Sequence, residues 1–404
     1  MKKIKIFAVV FIFLSFFIIS KKDEKVELKK EKKEEKSISI INANETRAVY
    51  ISYIELDTYI KDKTDEIMKK NISSIIKNIK SNKFNTIILH VRPFSDAIYK
   101  KSIYPVSKTV LNKEGKYPSF DILEYFIKES HNNGIKLHAW INPYRISNET
   151  NTNNIEKNSI NYKYLNTSHV SIIKDKGIYY NPASTEVKNL ILKGIKEIVK
   201  NYDIDGIHFD DYFYPDKKID LKNYEIYKAA GGKLTLDKYR LENITTLIKD
   251  VYTTIKSLKK DVLFGIAPEG NIDNNYTSNF IDTKKILSNS GYVDYIMPQI
   301  YFGFLNEAKP YIDTIKEWNS LISVNNIDLI PALAMYKSGS TDEYAKNGSN
   351  EWIIRDDIIK RQVIAARSMS KYNGFSIFRY DYLFNENKKN TNLVGEFNNL
   401  KDVL

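Results

Sequence analysis

Three carboxylates follow two short β-type runs in the middle of the chain, where they can carry acid–base chemistry. Asp210 and Asp211 lie in the run GIHFDDYFY, and Glu269 ends the run LFGIAPE. Because side chains alternate along a strand, we expect Asp210 to face inward with His208, while Asp211 lies off that register. Adjacent strands lie about 4.8 Å apart, so Asp210 and Glu269 can approach the separation of about 5–5.5 Å found in retaining glycosidases.

This carboxylate pair predicts cleavage of glycosidic bonds, with Asp210 as nucleophile and Glu269 as acid/base. Asp211 would then orient a sugar or tune Glu269. A purely structural alternative stays open, in which Asp210 pairs with Arg92 and Glu269 caps a helix, because ion pairs also occur at strand ends.

Further polar and aromatic side chains end the neighbouring β-type runs. Four of them can bind hydroxyl, acetamido or carboxylate groups of a sugar: Arg92, Asn142, Gln299 and Tyr301. Two more, Trp140 and Tyr144, can stack on sugar rings, since each has a flat apolar face with a polar tip.

Three of the histidines, His90, His138 and His208, fall on three consecutive β-type runs. Three imidazoles with a carboxylate can bind a metal ion that activates water, so a metal-dependent hydrolase is an alternative. Arg92 near this cluster would oppose a bound cation. We therefore expect the histidines to make hydrogen bonds, with His138 and His208 among the substrate-binding residues, and we expect no metal and no other cofactor.

From residue 47 onward the chain repeats one pattern, a short β-type run followed by a helical stretch. Periodic apolar side chains predict helices at 64–82 and 186–201. The β-type runs are 47–55, 85–93, 135–145, 206–214, 263–269, 294–302, 328–337 and 374–380. Eight strands alternating with helices predict an α/β fold, a (β/α)8 TIM barrel whose strand ends meet at one mouth. Long βα loops are expected after strand 3, at roughly 146–180, and after strand 4, at roughly 215–238.

The first 45 residues differ in composition from the rest of the chain. A basic flank precedes an apolar run at 6–19, which predicts a signal peptide or an uncleaved signal anchor over 1–20. Residues 21–45 mix Lys and Glu and predict a flexible linker, which leaves 46–404 for the barrel as one catalytic domain. We therefore expect an exported protein, either secreted or tethered to the membrane.

Composition excludes several classes of protein. The chain of 404 residues has no cysteine, which excludes disulfides, thiolate nucleophiles and a lipid anchor on cysteine. The formal net charge of +12 fits attraction to an anionic cell wall or membrane surface. No nucleic-acid-binding module or dense Lys/Arg cluster accompanies the charge, so nucleic acid is not expected as a partner.

Several of these runs, taken in order, resemble the glycosyl hydrolase-like 10 family of bacterial envelope proteins. The motifs are R-A-V-Y-I, V-R-P-x-S-D-A-x-Y, F-D-I-L-E-Y-F-I, H-A-W-I-N-P-Y-R, Y-N-P-A-S, D-G-I-H-F-D-D-Y-F-Y-P and Y-I-M-P-Q-I-Y. The resemblance implies a barrel enzyme that acts at division sites on peptidoglycan strands stripped of their stem peptides. It implies that Asp210, Asp211 and Glu269 lie in the active groove. It also implies that nine further residues line this groove: Arg92, Asp96, Trp140, Asn142, Tyr144, Arg145, Asn181, Gln299 and Tyr301.

The sequence thus predicts a glycoside hydrolase that acts on cell-wall polysaccharide, above all on peptide-stripped peptidoglycan. The alternative that is not an enzyme is a glycan-binding protein with the same fold and no catalytic activity. In both cases the expected partner is a polysaccharide.

Overall fold

The folded unit is seen in a computed structural model that describes residues 44–388 and 390–404. The predicted signal segment, and the predicted linker except for its last two residues, lie outside the described residues. Glu45 belongs to the folded unit, since its side chain is buried and both carboxylate oxygens accept hydrogen bonds from Arg367. Within the described ranges, no helix is long and apolar enough to cross a membrane.

The described residues form a curved parallel sheet and a small antiparallel sheet. In chain order the strands are β1 (Thr46–Ile51), β2 (Thr86–Arg92), β3 (Lys136–Ile141), β4 (Arg145–Ser147), β5 (Val170–Ile173), β6 (Gly177–Tyr180), β7 (Gly206–Phe209), β8 (Leu263–Ile266), β9 (Tyr295–Ile296), β10 (Asp328–Leu329), β11 (Ala332–Ala334) and β12 (Gly374–Phe378). The order in the parallel sheet is β10-β9-β8-β7-β3-β2-β1-β12-β11.

The parallel sheet closes because β10 and β11 are two parts of one extended run. β10 pairs with β9, and β11 pairs with β12. Pro331 interrupts the run because it has no backbone N–H, but its carbonyl still accepts a hydrogen bond from Ser376. The predicted β-type runs therefore form the strands of a (β/α)8 barrel, and the predicted fold class is confirmed.

Helices cover the outside of the barrel and follow its strands. In chain order they are α1 (Tyr53–Tyr59), α2 (Asp65–Ser81), α3 (Ile122–Asn132), α4 (Ile160–Tyr164), α5 (Thr185–Asn201), α6 (Leu221–Ala229), α7 (Leu236–Leu258), α8 (Ile272–Thr277), α9 (Thr283–Leu287), α10 (Tyr311–Leu321), α11 (Glu351–Ile354), α12 (Ile358–Ala366), α13 (Tyr380–Phe384) and α14 (Thr391–Lys401). The helices α2 and α5 match those predicted from apolar periodicity. Thr64 and Ser184 fix their starts, because each side chain accepts a backbone N–H of the first turn.

Side chains alternate along the strands between the barrel interior and the helix layer. Ile207 and Phe209 pack in the outer core under the helices, whereas His208 makes hydrogen bonds inside the barrel. This confirms the alternation predicted for β7. The apolar cluster of the interior consists of Ala48, Tyr50, Ile88, Trp140, Ala267, Tyr295, Met297, Ile330 and Ala332. The interior is thus a packed core, which restricts substrate to the mouth.

The alternation is broken at the end of β2. His90 pairs with Trp140 in the register, but Arg92 pairs with Ile141, so β2 carries one extra residue at this point. Ile141 belongs to the outer core, and Arg92 points the same way, with its guanidinium 4.3 Å from the ring of Tyr104. Arg92 therefore lies between the sheet and the helices.

Three long segments surround the mouth at the C-terminal ends of the strands. Between β3 and α5, an antiparallel sheet has the order β4-β6-β5. Between β7 and α7 lies α6, whose side chains are all at least partly exposed. Between β2 and α3, residues 93–121 are mostly irregular. The sequence did not single out this last segment.

A chain of hydrogen bonds runs through the barrel interior. Tyr50 Oη lies 2.9 Å from His208 Nε2, and Tyr295 Oη lies 3.1 Å from His208 Nδ1 and 2.9 Å from His138 Nδ1. Gly265 makes room for the ring of Tyr295, because a Cβ at this position would lie 2.0 Å from it. Burial lowers the pKa of His208 well below its ordinary value and lowers the pKa of His138 to about 4. Both imidazoles are therefore neutral near pH 7.

We expect Tyr295→Phe to destabilise the barrel by about 2 kcal/mol, because two buried imidazoles lose their shared hydroxyl partner. The free energy of unfolding in urea measures this. Tyr344→Phe is the matched control, since the side chain of Tyr344 is 86% exposed. Equal stability of the two variants would show that the buried hydroxyl contributes nothing.

Candidate active site

Asp210 and Asp211 lie together at the mouth, directly after β7. Asp210 Oδ1 accepts two hydrogen bonds, from the backbone N–H of Asp211 at 2.8 Å and from Gln299 Nε2 at 3.1 Å. Asp211 is ion-paired with Arg145 and accepts a hydrogen bond from Asn142 Nδ2 at 3.3 Å. The structure therefore brings together five of the residues that the sequence predicted for the site.

Both carboxyl groups share one site, although consecutive residues of a strand point to opposite faces. The reason is the backbone of Asp211, which has a φ of +49°. This left-handed conformation ends the strand, and it is uncommon for any residue with a Cβ, although Asp adopts it more readily than most. Strand alternation alone predicts that the side chain of Asp211 does not face inward with that of Asp210. The turn at Asp211 directs this side chain to the mouth.

Burial and a neighbouring negative charge shift the ionisation of this pair. Desolvation, and then the charge of Asp211, raise the pKa of Asp210 to about 8. Burial also raises the pKa of Asp211, but the guanidinium of Arg145 opposes this shift. Because Arg145 pairs with Asp211, the proton of the pair resides on Asp210 at neutral pH. A carboxyl that keeps its proton at pH 7 can act as a general acid.

Glu269 follows the neighbouring strand β8 and lies nearer the rim than Asp210. Phe209 pairs with Ile266 in the register, so Asp210 lies opposite Ala267, two residues before Glu269. With a strand spacing of about 4.8 Å and a rise of about 3.3 Å per residue, the α-carbons of Asp210 and Glu269 lie about 8 Å apart. The two carboxyl groups can therefore flank one glycosidic bond.

Two asparagines hold the carboxylate of Glu269. Asn274 Nδ2 donates to Oε1 at 3.0 Å, and Asn279 Nδ2 donates to Oε2 at 3.2 Å. Because each asparagine binds a different oxygen, the carboxylate is fixed in direction. Sequence reasoning missed both, since Asn274 lies in the short helix α8 and Asn279 in the bend after it, where neither periodicity nor strand position marks a functional asparagine.

Aromatic rings line the side of the mouth formed by the ends of β9, β11 and β12. The ring centroid of Tyr301 lies 5.8 Å from that of Tyr336 and 6.0 Å from that of Phe378, and Tyr382 lies 6.1 Å from Tyr336. All four rings are partly exposed, so their faces can stack on sugars. Burial, and then the charge of Asp210, raise the pKa of Tyr301. Only Tyr301 was predicted, because Tyr336 and Tyr382 follow strand ends that carry no motif and Phe378 is itself the last residue of β12.

A cavity of about 170 Å³ adjoins the carboxyl pair on the opposite side of the mouth. Asp211, Arg145, Lys176 and Tyr179 contribute to its wall. Arg145 is ion-paired with Asp211, so the charge beside the site comes from Lys176, whose Nζ donates to the carbonyl of Pro215, and it suits a substrate that carries a negative charge. Lys176 was not predicted, because it lies in the turn between β5 and β6, away from the strand ends.

The three predicted histidines lie below the carboxyl groups. The ring of His90 stacks on Trp140, with centroids 3.6 Å apart and 7° between the planes, while His138 and His208 share Tyr295. Trp140 is buried, and its Nε1 donates to Asn142 Oδ1 at 3.0 Å. Among the residues that the structure describes, no group of three or more His, Asp or Glu side chains is arranged to hold a metal ion.

Four other predicted site residues lie away from the carboxyl pair. Arg92 is behind the sheet, and Tyr144 is packed in the outer core with 1% of its surface exposed. Asn181 is buried and donates to Asn223 Oδ1 at 2.9 Å, which links the two long segments after β3 and β7. Asp96 lines a separate cavity in the segment after β2.

We expect Asp210→Asn to stabilise the fold more at pH 8 than at pH 5. The folded pKa of Asp210 lies above its ordinary value, so the folded state binds a proton that the unfolded state has released. The free energy of unfolding of the wild type therefore falls as the pH rises from about 4 to 8, by on the order of 2 kcal/mol after a discount for partial solvent exposure. The amide that Asp210→Asn introduces does not ionise, so the variant does not lose this stability. Urea denaturation at both pH values measures the difference. An equal effect at pH 5 and pH 8 would contradict the assigned protonation.

Known proteins resemble this chain over most of its length. The family model described as glycosyl hydrolase-like 10 matches residues 45–350. The glycosyl hydrolase YngK of Bacillus subtilis (strain 168) is 30% identical to it, over 79% of this chain and 66% of YngK. The glycosyl hydrolase DigH of Escherichia coli (strain K12) is also 30% identical, over 74% of this chain and 72% of DigH. The chain therefore spans about two thirds of the length of these relatives.

Solved structures with a similar fold include glycoside hydrolases. The glycoside hydrolase domain of PgaB (BpsB) from Bordetella bronchiseptica has a TM-score of 0.54 at 12% identity, covering 89% of this chain and 98% of that domain. The catalytic domain of β-amylase from Paenibacillus polymyxa has a TM-score of 0.52 at 11% identity, with the same two coverages. At these identities the likeness is one of fold. The family match over most of the barrel, together with two relatives at 30% identity, shows that the chain belongs to the glycosyl hydrolase-like 10 family.

Proposed function

We propose that this chain is an exported glycoside hydrolase that cleaves peptidoglycan glycan strands stripped of their stem peptides. Its family and its named relatives support a glycosidase-type enzyme with a polysaccharide substrate. The observation that carries the proposal is the carboxyl pair at the mouth, where Asp210 keeps a proton beside Asp211. The apolar run predicted as a signal supports export.

The charges beside the carboxyl pair support a stripped strand as substrate. Such a strand alternates neutral N-acetylglucosamine with N-acetylmuramic acid, whose lactyl group ends in a free carboxylate once the peptide is gone. Lys176 lines the cavity next to the Arg145–Asp211 ion pair, and its ammonium group can attract this carboxylate. An intact stem peptide converts the same carboxylate into a neutral amide and adds bulk, so it would lose this attraction.

The raised pKa of Asp210 supports its assignment as the proton donor. The sequence assigned Asp210 as nucleophile, but a nucleophile must be ionised, and a carboxyl with a pKa of about 8 is mostly protonated at neutral pH. We therefore reverse the two roles. Asp210 protonates the glycosidic oxygen, and Glu269 is the second carboxylate, which attacks the anomeric carbon or activates water. Asp211 acts through its charge, which keeps the proton on Asp210.

Incubation of the purified chain with stripped and with intact peptidoglycan tests this function. We expect soluble sugar fragments from the stripped glycan, detected by mass spectrometry. Asp210→Asn and Glu269→Gln should each lower the rate by about a hundredfold or more, because each removes a group that acts on the scissile bond.

Two controls separate this proposal from its alternatives. Asp237→Asn removes an exposed carboxylate of α7, 76% exposed, and should leave the rate unchanged. Exhaustive chelation should also leave the rate unchanged, whereas a metal-dependent hydrolase would lose activity. Binding of the glycan without any cleavage, unaffected by Asp210→Asn, would identify a glycan-binding protein in place of an enzyme.

The alkaline limb of the pH profile of kcat/KM, where activity decreases, should report the loss of the proton from Asp210. We expect a midpoint near pH 8, above which activity falls as Asp210 loses its proton. Asp211→Asn removes the negative charge that raises this pKa, so the limb should move to lower pH by about one unit. The pH profiles of wild type and Asp211→Asn measure the shift, with Asp237→Asn as control. A limb that stays in place or moves upward would contradict the contribution of the Asp211 charge to the pKa of the proton donor.

A further inference from the structure

A second and larger cavity opens beside the mouth, on the side where β1, β2 and β3 end. Its volume is about 360 Å³, within the range of small-ligand sites. The wall is formed by α1, by the irregular segment after β2 and by the segment that follows β4. Three different βα segments thus enclose it, at the same end of the barrel as the carboxyl pair.

The inner end of this cavity is aromatic, and its rim is polar. Tyr53 and Phe94 both line it, and their ring centroids lie 4.8 Å apart at an angle of 66°. Both rings are partly exposed. The rim carries hydroxyl and amide groups, including those of Ser147, Asn148 and Asn154. An apolar ring face surrounded by hydrogen-bonding groups suits a pyranose, which has one apolar face and polar edges.

A continuous set of contacts joins the cavity to the carboxyl pair. Tyr53 lies 5.9 Å from the ring of His90, and His90 stacks on Trp140. Trp140 Nε1 donates to Asn142, whose own Nδ2 donates to Asp211. Because these contacts run through the buried side chains of His90 and Trp140, they place the cavity and the carboxyl pair next to each other at the same end of the barrel.

The charges of this cavity differ from those beside Asp211. Its lining includes four carboxyl groups against two amines: Asp57, Asp96, Glu149, Glu156, Lys61 and Lys108. Lys61 lies 3.7 Å from Asp57, so this pair offsets one amine and one carboxyl group, and three carboxyl groups remain against one amine. An excess of carboxylates repels a sugar that carries a carboxylate of its own and accepts a neutral one.

We propose that this cavity is a distal saccharide subsite that takes a neutral N-acetylated hexosamine ring of the polymer being cleaved, stacked on Tyr53 and Phe94. The proposal rests on the proposed function, since the sugar at the subsite belongs to the same strand as the scissile bond. The cationic cavity at Lys176 and the acidic distal cavity then accept different sugars of an alternating strand. Together the two cavities determine which of the two kinds of glycosidic bond in the alternating strand lies at Asp210.

The experiment compares cleavage of peptide-free peptidoglycan oligosaccharides of four and of eight sugars. Phe94→Ala removes one stacking surface, and Val106→Trp fills the cavity from its rim without deleting a contact, since Val106 is 42% exposed. We expect both variants to lower kcat/KM for the eight-sugar substrate roughly tenfold, with little effect on the four-sugar substrate. Tyr162→Ala is the matched control, an exposed tyrosine on α4 outside the cavity lining, and should change neither rate.

A pair of matched monosaccharides tests the preference for a neutral sugar. N-acetylglucosamine should inhibit cleavage of the eight-sugar substrate by the wild type through this cavity, and Val106→Trp should weaken that inhibition, because its side chain already fills the cavity. N-acetylmuramic acid carries a carboxylate and is expected to inhibit through the cationic cavity beside Asp211, so Val106→Trp should leave its inhibition unchanged. Equal effects of Val106→Trp on inhibition by the two sugars would overturn the neutral-ring assignment.

The outcomes distinguish failure of the subsite from failure of the proposed function. If the wild type and both variants cleave the substrates with the same dependence on the number of sugars, the subsite proposal is overturned and the hydrolase proposal is not. Where the wild type cleaves neither substrate, the hydrolase fails, and calorimetric binding of the same oligosaccharides decides the subsite. Tighter binding of eight sugars than of four, lost in both variants, then supports it. Equal binding of both lengths, or no binding, overturns it.

Discussion

Two carboxyl groups on consecutive residues share one mostly buried site at the mouth of the barrel. Burial, and then their mutual repulsion, form the constraint on which the rest of the site depends, because a buried pair of like charges keeps a proton that isolated carboxyl groups would release. Arg145 pairs with Asp211 and thereby decides where that proton resides. The left-handed turn at Asp211 creates the repulsion, since an extended strand would separate the two side chains.

The neutral interior below the mouth preserves this repulsion. Burial keeps the pKa values of His90, His138 and His208 low. These imidazoles are therefore neutral and place no positive charge below Asp210 that would stabilise its ionised form. The hydroxyl of Tyr295, shared between two of the rings, satisfies imidazole nitrogens without adding charge. A metal ion or a protonated histidine in this layer would lower the pKa of Asp210 and remove its capacity to donate a proton near pH 7.

Strand periodicity predicted the barrel and the inward position of Asp210, because both follow from which residues face the same way along a strand. It failed where the backbone departs from regular geometry. An extra residue in β2 turns Arg92 toward the helices, and a positive φ brings Asp211 back to the site. The asparagines that hold Glu269 lie in the short helix α8 and in the bend after it, whose path depends on tertiary contacts that no local pattern records.

The site stabilises both protonation states of Asp210. A general acid must pass through both, since it is protonated before it donates and ionised afterwards. Oδ1 accepts the backbone N–H of Asp211 and the amide of Gln299, so the proton is carried on Oδ2. Once that proton passes to the glycosidic oxygen, the same two donors stabilise the carboxylate left behind without any rearrangement. The strand-end position of Gln299 thus supports catalysis in the charged state, while burial and Asp211 support the neutral state. The balance between them is what holds the pKa near 8, close to the pH at which proton transfer in either direction is efficient.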